Sequence, residues 1–172
     1  MALRIETPLP FALRSANSWL WPGPDPVVVD TGLGDAAAWA TLDAGLRAAK
    51  VDARRLTIVL TPGHPDHSGN AAHLAAGGAT VTALAAEEPL VAHHRATQRT
   101  RHDAIGDALI HHGVPAATIQ AVRKRGGHFD SFSVDTPMRP LRDGQRIPLG
   151  SGEATVHAAP GHTPGSLLLA LD

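Results

Sequence analysis

The chain has 172 residues, of which 43% are hydrophobic and 18% are charged, so it is long enough for a folded domain and too apolar for a disordered chain. A net charge of -1 provides no overall field for binding nucleic acid or an anionic membrane. There is no cysteine, so disulfides are excluded and any metal must be held by His, Asp or Glu. No signal peptide and no apolar run of membrane-spanning length is recognisable, so we expect a cytoplasmic protein.

The first half of the chain alternates strands with helices. Three short strands separated by turns rich in proline and glycine are predicted first, at residues 3–7, 17–21 and 26–30. Asp35 is the predicted N-cap of a helix that runs to about Lys50. A buried strand, a short helix and another strand follow, at residues 56–61, 68–76 and 79–84. This order indicates a layered α/β core.

Residues 85–125 are predicted to form an insertion of two or three helices, with Gly113 as a stop and Pro115 as a start. Basic residues outnumber acidic ones in this block, and they stand at Arg95, Arg99, Arg101, Arg123, Lys124 and Arg125. Two interpretations are open. The block is either a lid over a pocket that favours anionic ligands or a solvated helical face.

Strand patterns return after residue 137. A hairpin is predicted over residues 138–150, because Asp143 and Gly144 form a turn signal between two short strand-like runs. Two further strands are predicted at residues 154–160 and 167–172.

A cluster of potential metal ligands directly follows the buried strand. His64, Asp66 and His67 occupy neighbouring positions in the sequence TPGHPDHSGN, where prolines and glycines favour a tight, rigid loop. Imidazole and carboxylate groups suit Zn²⁺, Mn²⁺ or Fe²⁺. Because Asp66 and His67 are adjacent, their side chains point apart. One loop could therefore serve two neighbouring metals, with His64 on one and Asp66 and His67 on the other.

A second loop repeats this pattern about a hundred residues later. The sequence PGHTPGS follows a predicted strand and carries His162 between prolines and glycines. Either loop alone is also explained by a structural turn with a hydrogen-bonded histidine. The two together favour a shared site.

The motifs VVDTG, HPDHSGN and PGHTPGS, in this order, resemble those of the metallo-β-lactamase superfamily. The likeness is to the broad hydrolase branch that includes glyoxalase II-like thioesterases. It implies an α/β fold of the αββα type, in which two sheets pack face to face with helices outside and metals at one edge. Residues 1–172 would form a single domain of this kind, corresponding to the N-terminal part of the fold.

The resemblance also implies roles for individual residues. His64 and His162 would bind a first metal, and Asp66 and His67 a second. Asp66 would in addition be the catalytic residue that orients the attacking water or takes up its proton. Asp30 would brace the loop without binding metal. The implied function is hydrolysis of a small-molecule thioester, ester or lactone through a metal-bound hydroxide, with one or two zinc ions, or iron or manganese in their place.

Two departures from the family pattern concern the metal ligands. Pro62 stands where the motif has its first histidine, so the first metal site is expected to be weakened. The family's later ligands, a bridging aspartate and a further histidine, have no counterpart before Asp172, which we assign to a turn leading onward. We therefore expect an incomplete fold whose last strand leaves an open sheet edge, covered by a second copy of the chain or by a partner.

Three alternatives follow from these departures. The chain could be a scaffold that has lost its metals and serves binding, which Pro62 favours. It could belong to a nuclease branch, although the near-neutral charge and few aromatic residues argue against nucleic acid. His128 could swing in from a flexible segment to replace the missing ligand, or it could be an exposed loop histidine. His111, His112 and His128 match no family motif.

Overall fold

Two β-sheets packed face to face form the centre of the fold, as seen in a computed structural model that describes residues 1–171 and all of their side chains except that of Phe129. The first sheet has six strands in sequential order: β1 Leu3–Pro8, β2 Ser15–Trp21, β3 Val27–Val29, β4 Thr57–Val59, β5 Thr80–Leu84 and β6 Arg139–Leu141. Its first two pairings are antiparallel and the others are parallel. The second sheet is antiparallel and consists of β7 Arg146–Leu149, β8 Gly152–Ala158 and β9 Leu167–Leu171.

Six α-helices connect or flank these strands. They are α1 Ala36–Ala48, α2 Pro65–Ser68, α3 Ala71–Ala76, α4 Glu88–Val91, α5 His94–His111 and α6 Ala116–Asp130, among the residues that the structure describes. The predicted N-cap of the first helix is confirmed, since the side chain of Asp35 accepts a hydrogen bond from the backbone N–H of Ala38. No helix among residues 1–171 combines the length and the apolar content needed to cross a bilayer.

The hydrophobic core has two main clusters, one on each face of the first sheet, and a smaller third cluster of Leu9, Leu33 and Ala38. On one face, Leu42 and Leu46 of α1 and Leu74 of α3 pack against strand residues such as Ile58. On the other face, the two sheets bury apolar side chains against each other, at Val27, Val29, Val59, Leu84, Leu141, Ile147, Leu149, Ala154, Val156 and Leu167. The strand β3 is buried on both faces, which explains its unbroken run of valines. The predicted α/β sandwich is thereby confirmed as helices, sheet and second sheet.

Two local predictions are wrong. The turn at Asp143 and Gly144 exists, but it does not close a hairpin, because β6 pairs in parallel with β5 and β7 joins the second sheet. The predicted helix at residues 68–76 is α3, which begins only at Ala71, and the short helix α2 ends before it at Ser68. In both cases the local sequence was compatible with more than one structure, and tertiary contacts decided between them.

The helical insertion lies between two neighbouring parallel strands, β5 and β6. It contains α4, α5 and α6, and its last helix continues through Gly126 and Gly127 to Asp130, beyond the predicted end near residue 125. Parallel neighbours need a crossover connection in any case, so the insertion lengthens a connection that the sheet topology already requires. The prediction for Asp172 lies outside the described residues.

Candidate metal centre and adjoining cavity

The loop that carries His64, Asp66 and His67 begins just beyond the end of β4. His64 is the N-cap residue of α2, Pro65 occupies the first helical position, and Asp66 lies in the first turn, where the helix dipole favours a negative charge. The Ser68 hydroxyl donates to the backbone oxygen of His64 at 3.0 Å, which closes the short helix against the loop. The sequence therefore places its chemically active residues on a rigid turn.

Asp30 holds this loop from the neighbouring strand β3. Its carboxylate accepts hydrogen bonds from the backbone N–H of Thr61 at 2.8 Å and from the Thr61 hydroxyl at 2.6 Å. The same carboxylate lies 2.8 Å from Nδ1 of His67. Asp30 has a positive φ of 60°, a backbone region in which aspartate is enriched. A carboxylate on one ring nitrogen of a histidine fixes the ring and leaves the other nitrogen, Nε2, as the available donor to a metal.

Backbone contacts from the same segment reinforce this arrangement. The Thr31 N–H and hydroxyl both donate to the backbone oxygen of His67, at 2.6 and 2.9 Å. The buried Asn70 amide donates to the backbone oxygens of Thr31 and Leu33, each at 2.8 Å. The motifs VVDTG and DHSGN thus form one hydrogen-bonded unit.

The second histidine loop meets the first across the edge of the two sheets. It connects β8 to β9, and the backbone N–H of Leu167 donates to the backbone oxygen of Thr61 at 3.1 Å. At its tip, Nε2 of His162 lies 2.9 Å from Nδ1 of His64. Residues 98 positions apart therefore bring two imidazole nitrogens together.

Glu87 links the two histidine loops through hydrogen bonds to the backbone of each. This residue was not identified from the sequence. This side chain is fully buried, and its Oε2 accepts from the Gly63 N–H at 2.6 Å while its Oε1 accepts from the Gly165 N–H at 2.8 Å. A Cβ at Gly165 would lie 2.7 Å from the Glu87 side chain, so glycine permits the close approach. One carboxylate thus fixes the backbone next to His64 and near His162.

The two histidines of the first loop have opposite electrostatic environments. Burial lowers the pKa of His64, and the neighbouring His162 and the Arg101 guanidinium act in the same direction. Burial alone would also lower the pKa of His67, but the hydrogen bond and negative charge of Asp30, with a contribution from Asp66, outweigh it and raise this pKa.

A cavity of about 400 Å³ opens beside the histidine loops. One wall is formed by the loops themselves, through His64, Pro65, Asp66 and His162. The opposite wall is formed by α5 and α6, through Gln98, Arg101, His102, Ile105, Val122, Arg123, Gly126 and Asp130. The predicted site thus faces the helical insertion, and Arg101 and Arg123 are the two cations of that block which line the cavity.

The donor types present, imidazole and carboxylate, suit a divalent metal. Two nitrogen ligands of a tetrahedral zinc lie roughly 3.3 Å apart, given Zn–N bonds of about 2.0–2.1 Å. The observed 2.9 Å between Nδ1 of His64 and Nε2 of His162 is a hydrogen-bond distance, about 0.4 Å shorter than this spacing. Asp66 and His67 form a second pair, with 3.6 Å between Oδ2 and Nε2. These distances bring the four predicted ligands together as two pairs.

The number of ligands is smaller than a catalytic zinc site uses. Among residues 1–171 no group of three or more His, Asp or Glu side chains converges in a way that could hold a metal, whereas catalytic zinc has three protein ligands. Pro62 is buried and supplies no donor. His128 does not replace it, because this exposed residue of α6 packs edge-on against Phe132 instead of lining the cavity.

Comparison with known proteins identifies the family. The metallo-beta-lactamase superfamily model matches residues 12–172. A metallo-beta-lactamase family protein from Thermus thermophilus is 29% identical, with a TM-score of 0.76, over 99% of this chain and 55% of its own. A beta-lactamase domain protein from Burkholderia ambifaria shares the fold at 23% identity and a TM-score of 0.73, over 99% of this chain and 51% of its own.

The native FEZ-1 metallo-beta-lactamase from Legionella gormanii also shares the fold, with 14% identity and a TM-score of 0.64 over 99% of this chain and 54% of its own. The chain therefore spans about half the length of these solved structures. No curated protein matches the sequence. On the superfamily match, with the two histidine loops at the edge of the sandwich, the chain belongs to the metallo-beta-lactamase superfamily.

Proposed function

We propose that this chain carries the zinc-binding part of a hydrolase that acts on a thioester, ester or lactone. The superfamily consists in general of metal-dependent hydrolases, and the observation that carries the proposal is the approach of His64 and His162 to 2.9 Å at the wall of a cavity. Bound zinc supplies Lewis-acid polarisation of a carbonyl oxygen and acidifies a water molecule.

The protein's own residues have separate tasks in this proposal. Asp30 keeps a proton on Nδ1 of His67, so that Nε2 is presented as a lone pair. Asp66 is partly exposed on the cavity wall, and in this proposal it would accept a proton from the attacking water. Glu87 keeps the backbones of the two histidine loops at a fixed distance from each other.

A binding scaffold without metal is the second candidate, and Pro62 is the observation that favours it. Elemental analysis of the protein purified without chelator separates the two. We expect bound zinc in the natural chain, loss of zinc in the His64→Ala/His67→Ala double variant, and retention in the matched His111→Ala/His112→Ala variant. The last pair lies exposed at the end of α5, so the same number of histidines is removed away from the site.

Hydrolysis is then measured on thioester, ester and lactone panels with and without added zinc. Zinc-dependent turnover that is lost with the His64→Ala/His67→Ala change supports the hydrolase. Absence of metal from all three proteins, even after addition of zinc, would overturn it in favour of the scaffold.

A further inference from the structure

We propose that the helical wall of the cavity binds an anionic group, a carboxylate or a phosphate, through Arg101 of α5 and Arg123 of α6. This inference rests on the proposed function for its chemical meaning. The substrate class would be an ester or thioester that carries an anionic group at some distance from the reacting carbonyl.

The first argument is the charge balance of the cavity. Four charged side chains line it besides the histidines: the cations Arg101 and Arg123 and the carboxylates Asp66 and Asp130. The Oδ2 of Asp130 lies 2.8 Å from Nε2 of His102, in a geometry that leaves this oxygen without a hydrogen bond, so Asp130 remains a carboxylate on the same wall as the two arginines. Asp66 lies on the opposite wall beside His67. Within residues 1–171, neither Arg101 nor Arg123 forms an ion pair, so both guanidinium groups remain available to a ligand.

The second argument is that the position of Arg123 is built into the helix pair. Its guanidinium lies against the backbone of α5 at Gly106, where a methyl group would overlap it. Gly126 of α6 gives similar room to His102, whose Nε2 would lie 2.8 Å from a Cβ there. Glycine is an unfavourable residue in the middle of a helix. These two glycines leave room between α5 and α6 for the ends of two side chains that line the cavity.

The third argument is an unused donor on the same wall. Gln98 lines the cavity and is only 6% exposed, yet its Nε2 has no hydrogen-bond acceptor among the described residues. A buried amide without a partner is costly unless a ligand or water accepts from it. With the two guanidinium groups, it gives this wall three hydrogen-bond donor groups beside the single carboxylate of Asp130. A carboxylate or phosphate is acceptor-rich and complements such a wall.

The spacing within the cavity suggests the shape of the ligand. Ile105 and Val122 supply apolar surface on the helical wall, and His64 and His162 lie on the loop wall. A ligand that spans the cavity would place its anionic end at the arginines, an apolar segment along Ile105 and Val122, and its carbonyl at the histidines. A half-ester or half-thioester of a short dicarboxylic acid, or a short acyl ester that carries a phosphate monoester group, has this chemistry.

The test uses protein from which metal has been stripped and the chelator dialysed away, so that the probes cannot bind a metal. Hexanoate, hexyl phosphate and the neutral hexanamide are titrated by calorimetry, and the arginine Nε–H signals are followed by NMR. We expect the two anions to bind and to shift the signals of Arg101 and Arg123, and hexanamide to bind more weakly. The stronger anion distinguishes a carboxylate site from a phosphate site.

Four single variants provide the decisive comparison. R101A and R123A are each expected to weaken anion binding about three- to tenfold. This loss is larger than that expected for an exposed ion pair and smaller than that for a hydrogen bond to a charged group. R99A and R125A remove the same charge from the same helices outside the cavity, and we expect binding to be unchanged. Equal weakening in all four variants, equal binding of hexanamide, or no anion binding to the natural chain would overturn the inference.

A fifth variant separates binding from stability. G106A introduces the better helix former, so the melting temperature should hold or rise. Its methyl group displaces the flexible end of Arg123, so anion binding should fall as in R123A. If G106A bound the anions with the affinity of the natural chain, the position of Arg123 would be irrelevant to anion binding. Zinc content is measured separately. Failure of anion binding therefore leaves the hydrolase proposal intact, and failure of zinc binding leaves the anion-binding result interpretable.

Discussion

Replacing Glu87 by glutamine is the sharpest test of how the two histidine loops are held together. The natural carboxylate accepts two backbone hydrogen bonds, from Gly63 at 2.6 Å and from Gly165 at 2.8 Å. A glutamine keeps one acceptor oxygen and presents an NH₂ group to the other backbone N–H. One hydrogen bond is then lost, and two donors face each other in a fully buried place.

The expected cost follows from these contacts. A hydrogen bond to a charged group contributes about 1.5–3 kcal/mol, and a buried donor left without a partner costs about 1–3 kcal/mol. Removing the buried charge offsets part of this loss, because its desolvation is no longer needed. We therefore expect E87Q to lower the free energy of unfolding by about 2–3 kcal/mol, which for a chain of this size lowers the melting temperature by about 4–10 °C.

The assay is urea unfolding followed by circular dichroism, with zinc affinity measured on the same samples. The control is E88Q, which changes an exposed neighbour and should stay within about 0.5 kcal/mol of the natural chain. Zinc affinity should fall in E87Q and hold in E88Q, because only Glu87 positions the backbone of both loops. If the two variants were equally stable and bound zinc equally well, the role assigned to the Glu87 bridge would be wrong.

Three further predictions concern the donors at the loop. D30N should reduce zinc affinity by about 10- to 100-fold, as loss of the carboxylate behind a metal-binding histidine does, and the exposed Asp25→Asn variant should leave it unchanged. In metal-free protein, the pKa of His67 is raised, so its contribution to stability is complete below the unfolded pKa of about 6.5 and is lost as the pH rises through the folded pKa. NMR titration should show that the pKa of His67 is lower in D30N than in the natural chain. An unchanged pKa would contradict this. P62H, which restores the histidine of the family motif, should raise zinc affinity by at least the roughly tenfold that an outer partner contributes, and calorimetry showing no gain would mean that the buried position cannot face the metal.

The parts of the site that could be predicted from sequence are those whose geometry depends on contacts between residues close together in the chain. Asp35 caps its helix three residues away, and His64, Asp66 and His67 occupy one short turn. Here the spacing of residue types fixes the geometry through local hydrogen bonds and proline. The expected bracing role of Asp30 depended on the family resemblance, and in the structure its carboxylate contacts Thr61 and His67 of the loop segment.

The parts that could not be predicted depend on contacts between distant segments. Glu87 looks like an ordinary acidic residue before a helix, because its partners lie 24 and 78 positions away in the chain. The hairpin prediction over residues 138–150 had a correct turn and wrong partners, since β6 found its place beside β5. The segment that carries His128 was expected to be flexible, but it is part of α6, where Gly126 lies close to His102.

The arrangement of the cavity separates chemistry from recognition. The loop wall depends on β3, β4 and the β8–β9 connection, whose hydrogen bonds do not involve Arg101 or Arg123. The helical wall belongs to a crossover between β5 and β6, which can change in length and sequence while the sheet pairing stays the same. Substitutions at Arg101, Gly106 or Arg123 should therefore alter ligand affinity without moving the Asp30–His67 pair. Substitutions at Asp30 or Glu87 should alter metal affinity and stability together. In the proposed function, the loop edge would carry the hydrolysis, while the helical insertion would set which anionic compounds reach it.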